Sequence, residues 1–335
     1  MLSMNLGIIG LGYWGPNIVR NALSVSSINR VVACDIDESQ LAKIKAKHPE
    51  VEITNSVDKL LADDSIDGVV VVLPVDLHHP MAMKAIAAGK HVVLEKPFTS
   101  TVAQGLEVLE AAEKKGVITM VDHTFLYTGA VRRIKQLTQD GALGNIYFYD
   151  SARTNLGLFQ RDCNVIWDLA PHDFSIMNHV IGKRAMSVRA MGADHVGRGF
   201  ADVAYVHVDF GDSTIAHFHI SWLSPIKERQ TVIGGDQKMV VWDDNNAAER
   251  VKIYDKGFSV TAEPGKHPAY QYRNGEYEVA QVEQTEALAL MLEEFASSIS
   301  EKRQPLTSGA DGVDVVRILE ACERSISLGG EAVNL

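Results

Sequence analysis

Gly10-Leu11-Gly12-Tyr13-Trp14-Gly15 decides how this chain is read, because of what stands on either side of it. An apolar run, Leu6-Gly7-Ile8-Ile9, precedes it, and Pro16 opens a helical pattern after it. Strand, glycine turn and helix in that order make a dinucleotide-binding turn. Gly10 permits the tight turn, Gly12 lets backbone approach a pyrophosphate, and Gly15 lets the helix pack closely on the strand. The helix N-terminus, with Tyr13 and Trp14 beside it, then presents N–H groups and the positive end of its dipole to the anion. Val31-Val32-Ala33-Cys34-Asp35 reads as the next strand. Its acid lies about 20 residues past the turn, where it can accept hydrogen bonds from both ribose hydroxyls and repel a 2′-phosphate. NAD is the expected cofactor, and NADP is disfavoured.

The 335 residues allow about two domains with substantial cores. Hydrophobic residues make up 46% and charged residues 22% of the chain, as in an ordinary globular protein. The formal charge of −11, with no basic block to offset it, argues against a nucleic-acid partner. Cys34, Cys163 and Cys322 are far apart and odd in number, so they read as reduced thiols and neither a disulfide framework nor a zinc site. The first strand begins near Met4, leaving no room for a signal peptide, and no run reaches the roughly 18 apolar residues of a membrane span. A cytoplasmic protein with no membrane partner is expected.

The first 120 or so residues alternate strand and helix. Near-continuous apolar runs at Leu6–Ile9, Val31–Ala33, Ile66–Leu73, His91–Leu94 and Val117–Val121 read as strands buried on both faces. Helical patterns at Asn17–Leu23, Ser39–Lys47, Ser56–Leu61, Asp76–Ala88 and Thr101–Lys115 separate them, with Gly89 and Gly116 placed to stop two. The expectation is an α/β Rossmann domain over residues 1–122, with a doubly wound parallel sheet. An α+β domain follows over 123–335, serving substrate binding and oligomerisation, its C-terminal helix able to pack back on the first domain. There, helices are expected at Thr128–Gln139, Val165–Ile181, Val279–Ser300 and Asp311–Ser327, and a strand at Asn145–Asn155. Period-two strands at Ala204–Phe210 and Ile215–Trp222 call for an open, largely antiparallel sheet with helices on one face. Its more polar face carries His207, His217 and His219, read as surface or subunit-contact groups and not metal ligands. A homodimer or homotetramer through this sheet is expected.

Glu95-Lys96-Pro97 follows the strand His91–Leu94, at the carboxyl edge where such sheets bind ligands. A lysine there can donate to a substrate oxygen and lower the pKa of a hydroxyl, while Glu95 can contact the cofactor. Pro97 is a candidate cis proline. Asp168 and His172 stand four apart, on one face of any continuous helix, so that Asp168 can orient an imidazole that exchanges a hydroxyl proton. Pro171 leaves two geometries open: a kinked helix, or a helix starting at Pro171 with Asp168 in the preceding turn.

With these residues in place, the chain resembles the Gfo/Idh/MocA oxidoreductases over nearly its full length. Matching features run in order: the Gly10–Gly15 turn, Asp35, Pro74 followed by His78, Ala88-Gly89-Lys90-His91-Val92 leading into Glu95-Lys96-Pro97, and the Asp168/His172 pair. The resemblance implies a Rossmann domain with an α+β partner, a catalytic pair carried by Lys96 and His172, and Asp168 as the matching third residue. It also places Pro74 and His78 on the cofactor side. Leu73 departs from the pattern, where many relatives have Thr before the proline.

Substrate contacts are expected from Tyr127, Arg153, Asn155 and His172, with Arg161 a further candidate. Arg offers a fork for carboxylate or phosphate, and Asn suits sugar hydroxyls or an acetamido group. Ser221-Trp222-Leu223-Ser224-Pro225-Ile226-Lys227-Glu228-Arg229 reads either as a seat for a nucleotide diphosphate or as a strand–loop–strand connection. No metal is expected. Residues and resemblance together point to an NAD-dependent oxidation of a ring hydroxyl in a sugar or nucleotide sugar, with a UDP-N-acetylhexosamine or its uronic acid favoured. A polyol or free-monosaccharide dehydrogenase, including one acting on inositol, is the near alternative, and a non-catalytic NAD-binding regulator the distant one.

Overall fold

The computed structural model describes residues 3–157, 159–160, 163–261 and 267–335. In chain order the elements are β1 (Met4–Ile9), α1 (Gly15–Ser24), β2 (Ile28–Cys34), α2 (Glu38–Lys47), β3 (Glu52–Thr54), α3 (Val57–Leu61), β4 (Gly68–Val71), α4 (His78–Ala87), β5 (His91–Leu94), α5 (Val102–Lys115) and β6 (Thr119–Val121). There follow α6 (Gly129–Gln139), β7 (Ile146–Leu156), α7 (Val165–Ile181), β8 (Ser187–Ala193), β9 (Val203–Asp209), β10 (Ile215–Ser221) and β11 (Leu223–Gly235). The last are β12 (Met239–Asp243), β13 (Val251–Thr261), β14 (Ala269–Val279), α8 (Ala287–Glu301), α9 (Gly309–Ser327) and β15 (Val333–Asn334). None of the described helices is long and apolar enough to cross a membrane.

Two compact units result, Met1–Tyr127 with Thr285–Arg317, and Thr128–Gln284 with Ile318–Leu335. The first holds a six-stranded sheet in the order β3-β2-β1-β4-β5-β6, all its pairs parallel. All of β4 and nearly all of β5 is buried, as apolar runs covered on both faces should be. The helices between strands are closed by local chemistry. Asp37, Ser56 and Thr101 accept N–H groups at the starts of α2, α3 and α5, and Gly116, at φ 68°, ends α5 in the left-handed region.

Four differences from the sequence-based reading have local causes. β3 was not anticipated, because Glu-Ile-Thr at a sheet edge carries no apolar run. The pattern at Asp76–Ala88 divides into a 3₁₀ turn (Val75–Leu77) and α4. The helix expected from Val279 begins only at Ala287, since Val279 still pairs with Lys252 in the β13–β14 ladder. Finally, a division at 122/123 assigns Thr285–Arg317 to the second domain, whereas this segment folds with the first unit. The reason is apolar: Met291, Leu292, Phe295 and Ala296 form a buried stripe on α8, and a Cβ on Gly68 would stand 2.9 Å from the Phe295 ring. Arg20 and Asn21 of α1 also hydrogen-bond Glu286 at the start of α8.

The second unit is built on a nine-stranded sheet, β14-β13-β12-β11-β7-β10-β9-β8-β15, in which β7 and β10 are parallel and the other pairs antiparallel. Helix α7 packs on β7 and β10, and Phe174 meets Phe218 edge-on at 4.9 Å. On that face lie Ala204, Val206, Val208, Ala216, Phe218 and Ile220, all buried, while Tyr205, His207, His217 and His219 alternate to the other side. The period of two in these strands thus reports a sheet with one covered face.

Phe295→Ala removes a fully buried ring from the stripe joining α8 to the first unit. It is expected to cost about 3–5 kcal/mol in urea unfolding. A loss below about 1 kcal/mol, within the range of surface changes, would contradict the placement of this segment.

Candidate active site

In the first unit the site residues stand one step beyond the strands. The Gly10 N–H donates to the Cys34 carbonyl (2.9 Å), and the Leu11 N–H donates to Asp35 Oδ2 (2.6 Å), so the acid at the end of β2 is tied to the glycine turn. Gly10 has φ 98°, and a Cβ there would lie 2.2 Å from the Val72 carbonyl oxygen; a Cβ on Gly15 would lie 2.2 Å from that of Gly10. Both glycines are required by close packing. A Cβ on Gly12 would meet nothing within 4 Å, so the second glycine borders open space at the N-terminus of α1. That helix has no side-chain cap, and Tyr13 and Trp14 are exposed beside it. Room, uncapped N–H groups and a neighbouring carboxylate are what a dinucleotide's pyrophosphate and ribose need, and these residues fit it.

Pro74 opens the 3₁₀ turn after β4. His78 is 1% exposed, and its ring lies between two carbonyl oxygens, Nδ1 2.9 Å from that of Pro97 and Nε2 2.8 Å from that of Leu73. The imidazole thus clamps the loop after β4 to the loop after β5, at the carboxyl edge of the sheet. The Lys96–Pro97 peptide in that second loop is cis.

Lys96 stands among groups that its charge affects. Burial and the neighbouring Asp122 hold the Glu95 carboxyl above the usual carboxylate range, against the pull of Lys96. Burial raises Asp122 as well, opposed by the Thr124 hydroxyl that donates to it and by Lys96. His123 is buried and pushed down to about 3 by burial and by Lys96, so it is neutral at pH 7. Asp122 and His123 escaped the sequence reading. The signal was available: they follow β6 as Glu95 and Lys96 follow β5, and the same carboxyl-edge rule applies to both.

Tyr127 is buried, and its hydroxyl pairs with Thr307 Oγ1 at 3.0 Å. The expectation that it contacts substrate is therefore corrected: Thr307 lies in the segment that returns to the first unit and takes up the phenol.

In the second unit, α7 runs unbroken from Val165 to Ile181 with Pro171 inside it. The continuous-helix geometry holds, and Asp168 and His172, both half-buried, share a face. Asn164 starts the helix by accepting the N–H groups of Ile166 and Trp167. Asp168 Oδ2 accepts the indole N–H of Trp222 at 3.0 Å. Arg153 does not face outward. It is 6% exposed and forms a two-pronged pair with Asp173, Nε to Oδ2 at 2.6 Å and Nη2 to Oδ1 at 2.9 Å. The fork expected to meet a ligand carboxylate or phosphate is used internally. Asn155 is half-buried near the end of β7, beside Gly157. Arg161 lies outside the described residues. The Ser221–Arg229 stretch is the junction of β10 and β11, with Trp222 buried, Lys227 exposed and Arg229 3.7 Å from Asp244. On the open face, His207 Nδ1 meets His217 Nε2 at 2.9 Å and His219 stacks on Tyr205. Among the described residues, no group of three or more His, Cys, Asp or Glu side chains is placed to hold a metal ion.

Residues 4–123 match a family described as "Oxidoreductase family, NAD-binding Rossmann fold", and residues 131–241 match the "GFO/IDH/MocA C-terminal domain". The chain is 25% identical to UDP-N-acetylglucosamine 3-dehydrogenase of Acidithiobacillus ferrooxidans, over 93% of this chain and 94% of that one. The solved structure of that enzyme aligns with a TM-score of 0.82 at 24% identity, covering 98% and 99% of the two chains. The chain is also 24% identical to scyllo-inositol 2-dehydrogenase (NADP(+)) of Bacillus subtilis, over 96% and 94%. The structure of GenD2 from gentamicin A biosynthesis in complex with NAD has the same fold, with a TM-score of 0.83 at 22% identity over 100% and 97%.

The raised carboxyls of Glu95 and Asp122 make stability depend on pH in a definite direction. Where the folded-state pKa of an acid is raised, the unfolded chain releases its proton first, so stability falls as pH climbs from the ordinary carboxylate range through the raised value. Glu95→Gln removes one such group. Its Tm is expected to exceed that of the parent at pH 8 and to match it at pH 4 by calorimetry; no gain at pH 8, or an equal gain at both, would contradict this electrostatic account.

Proposed function

The chain belongs to the Gfo/Idh/MocA oxidoreductases, and from that membership we propose an NAD-dependent dehydrogenase that oxidises a ring hydroxyl of a nucleotide sugar, a UDP-N-acetylhexosamine or its uronic acid. The observation that carries the reading is Lys96 at the carboxyl end of β5, in the unit that holds the glycine turn, with Glu95 and Asp122 around it. In this reading Lys96 donates to the reacting oxygen and stabilises its developing negative charge. His172 takes the hydroxyl proton, and Asp168 orients the imidazole and stabilises it once charged. The nicotinamide, when bound, accepts the hydride. Asp35 would hold the ribose hydroxyls, and Asp37 and Glu38, which follow it, add charge that repels a 2′-phosphate; NAD is favoured over NADP on that ground.

The substrate class rests on the full-length likeness to the UDP-N-acetylglucosamine enzyme. A free polyol is the competing reading. It is favoured by the inositol dehydrogenase relative and by the internal use of Arg153, which removes one cation from any diphosphate seat.

Assembly is part of the proposal. Tyr205, Met191 and His219 leave an aromatic and apolar sheet face uncovered, and Phe258, Val260, Tyr270 and Tyr272 extend it along the β13–β14 ribbon, where Phe258 faces Tyr272 and Val260 faces Tyr270. A second copy apposing the same face would bury both, as a two-fold interface requires.

Steady-state kinetics on UDP-sugars, free sugars and inositols with NAD and NADP test the chemistry. Lys96→Met and His172→Asn are each expected to lower kcat by roughly 100- to 10,000-fold with NAD affinity kept within a few-fold. Full activity in Lys96→Met would sink the mechanism, and equal turnover of UDP-sugars and free polyols would sink the nucleotide-sugar assignment. In light scattering, the parent is expected to run as a dimer or tetramer and Tyr205→Glu/Tyr272→Glu as a monomer. A parent that is monomeric at micromolar concentration rules out the assembly.

A further inference from the structure

Trp222 joins β10 to β11, and its backbone is held from both sides. Its N–H donates to the Asp202 carbonyl at 2.9 Å, and its own carbonyl accepts the Gly157 N–H at 3.0 Å. Asp202 is itself buried and fixed: Oδ2 accepts the N–H groups of His195 and Val196, and Oδ1 meets His195 Nδ1 at 2.7 Å. The indole is 2% exposed and packs edge-on against Phe159 at 5.6 Å. A Cβ at position 157 would come within 3.0 Å of indole Cδ1, so Gly157 leaves the ring its seat. From this platform the indole N–H reaches Asp168 Oδ2 at 3.0 Å, and Asp168 lies one helical turn before His172.

We propose that Trp222 is a positioning residue, which fixes the Asp168 carboxylate through its indole N–H and, through Asp168, sets the orientation and charge of His172. The proposal rests on the dehydrogenase reading for the role of His172. An indole is a donor only, so it exchanges no proton with the carboxylate and commits Oδ2 as an acceptor. A hydroxyl or amide in its place could rotate or swap roles. The placement also makes the orientation of Asp168 depend on the β10–β11 junction and not on the helix alone. The indole is therefore accounted for by its bond to the acid, and the stretch Ser221–Arg229 acts on the reaction from behind Asp168, with no need to touch the substrate.

Trp222→Phe keeps an aromatic ring against Phe159 and deletes the donor. It is expected to lower kcat about ten-fold, the scale of one hydrogen bond to a charged group. NAD affinity should not change. The acidic limb of the kcat/KM profile should move, because the carboxylate that orients the imidazole has lost a hydrogen-bond donor. In a His172→Asn background the same change should add nothing. Parent kcat and an unmoved acidic limb in Trp222→Phe, with His172→Asn inactive, would overturn this proposal and leave the dehydrogenase reading intact; activity surviving in Lys96→Met and His172→Asn would overturn that reading instead. Should Trp222→Phe not fold, the parent answers through its ¹⁵N-indole spectrum. The Trp222 Nε1 proton is expected to shift and to exchange faster with solvent in Asp168→Ala, and an unchanged resonance refutes the bond on which the proposal stands.

Discussion

A parallel ladder buried on both faces cannot end abruptly, and in the first unit its hydrogen bonds continue one residue past each strand. Gly10 N–H bonds the Cys34 carbonyl, Val72 N–H that of Ile9, Glu95 N–H that of Val71, and Asp122 N–H that of Leu94. This staircase fixes the backbone of each residue just where the chain leaves the sheet. The acid after β2, the glycine turn after β1, the Glu95–Lys96 pair after β5 and Asp122 after β6 therefore share one edge without any side chain having to bring them there. The edge is also where backbone N–H groups cease to be spent on strands, which is why ligands gather on it in such sheets. Side chains tie across it as well: Asp35 accepts the Leu11 N–H, and His78 joins the Leu73 and Pro97 carbonyls.

That edge carries an electrostatic cost. A half-buried Glu95 and a buried Asp122 next to one ammonium cannot both hold their ordinary charge, and both acids are pushed toward their neutral forms by burial. His123, buried with neither ring nitrogen in a hydrogen bond, stays neutral under the same field. A sheet optimised only for stability would fill these positions with apolar side chains. Groups with displaced pKa values concentrated around one lysine instead fit the site proposed at this edge.

What was legible in the sequence follows from distance along the chain. The five apolar runs of the first unit, the glycine turn and the alternation in Ala204–Phe210 and Ile215–Trp222 are local patterns, and the strands and buried faces they imply are present. Elements with little apolar signature were missed, β3 at the edge and the β13–β14 ribbon, whose outer half has no core to face; β8, β11 and β12 were missed as well, although Met239-Val240-Val241-Trp242 in β12 is an apolar run. Partnerships across long separations were also invisible. Nothing near Arg153 announces Asp173 on a helix behind it, and nothing near Tyr127 announces Thr307. Each had been read by what its side chain could offer a ligand, and each had already been taken by the fold. Helix continuity through Pro171 was undecidable from propensity; Asn164 at the cap and the packing of Phe174 on Phe218 settle it.

Those internal partnerships explain how a proline-containing helix can hold the His172 imidazole in register. Asp168 and Asp173 lie five residues apart, about 7.5 Å along the axis, with His172 between them. One is bonded to Trp222 at the end of β10, the other to Arg153 within β7, the strand that pairs with β10. A slide or rotation of α7 would break both bonds together. Breaking the second leaves a buried guanidinium or carboxylate uncompensated, a penalty of about 3–5 kcal/mol. A well-packed apolar pair could match the ion pair in net stability, but it would tolerate slippage that a two-pronged Arg–carboxylate bond does not. The buried charges of the second unit are thus best understood as registration. They add little to net stability, yet they restrict α7 to an alignment that sets Asp168 and His172 on a common face.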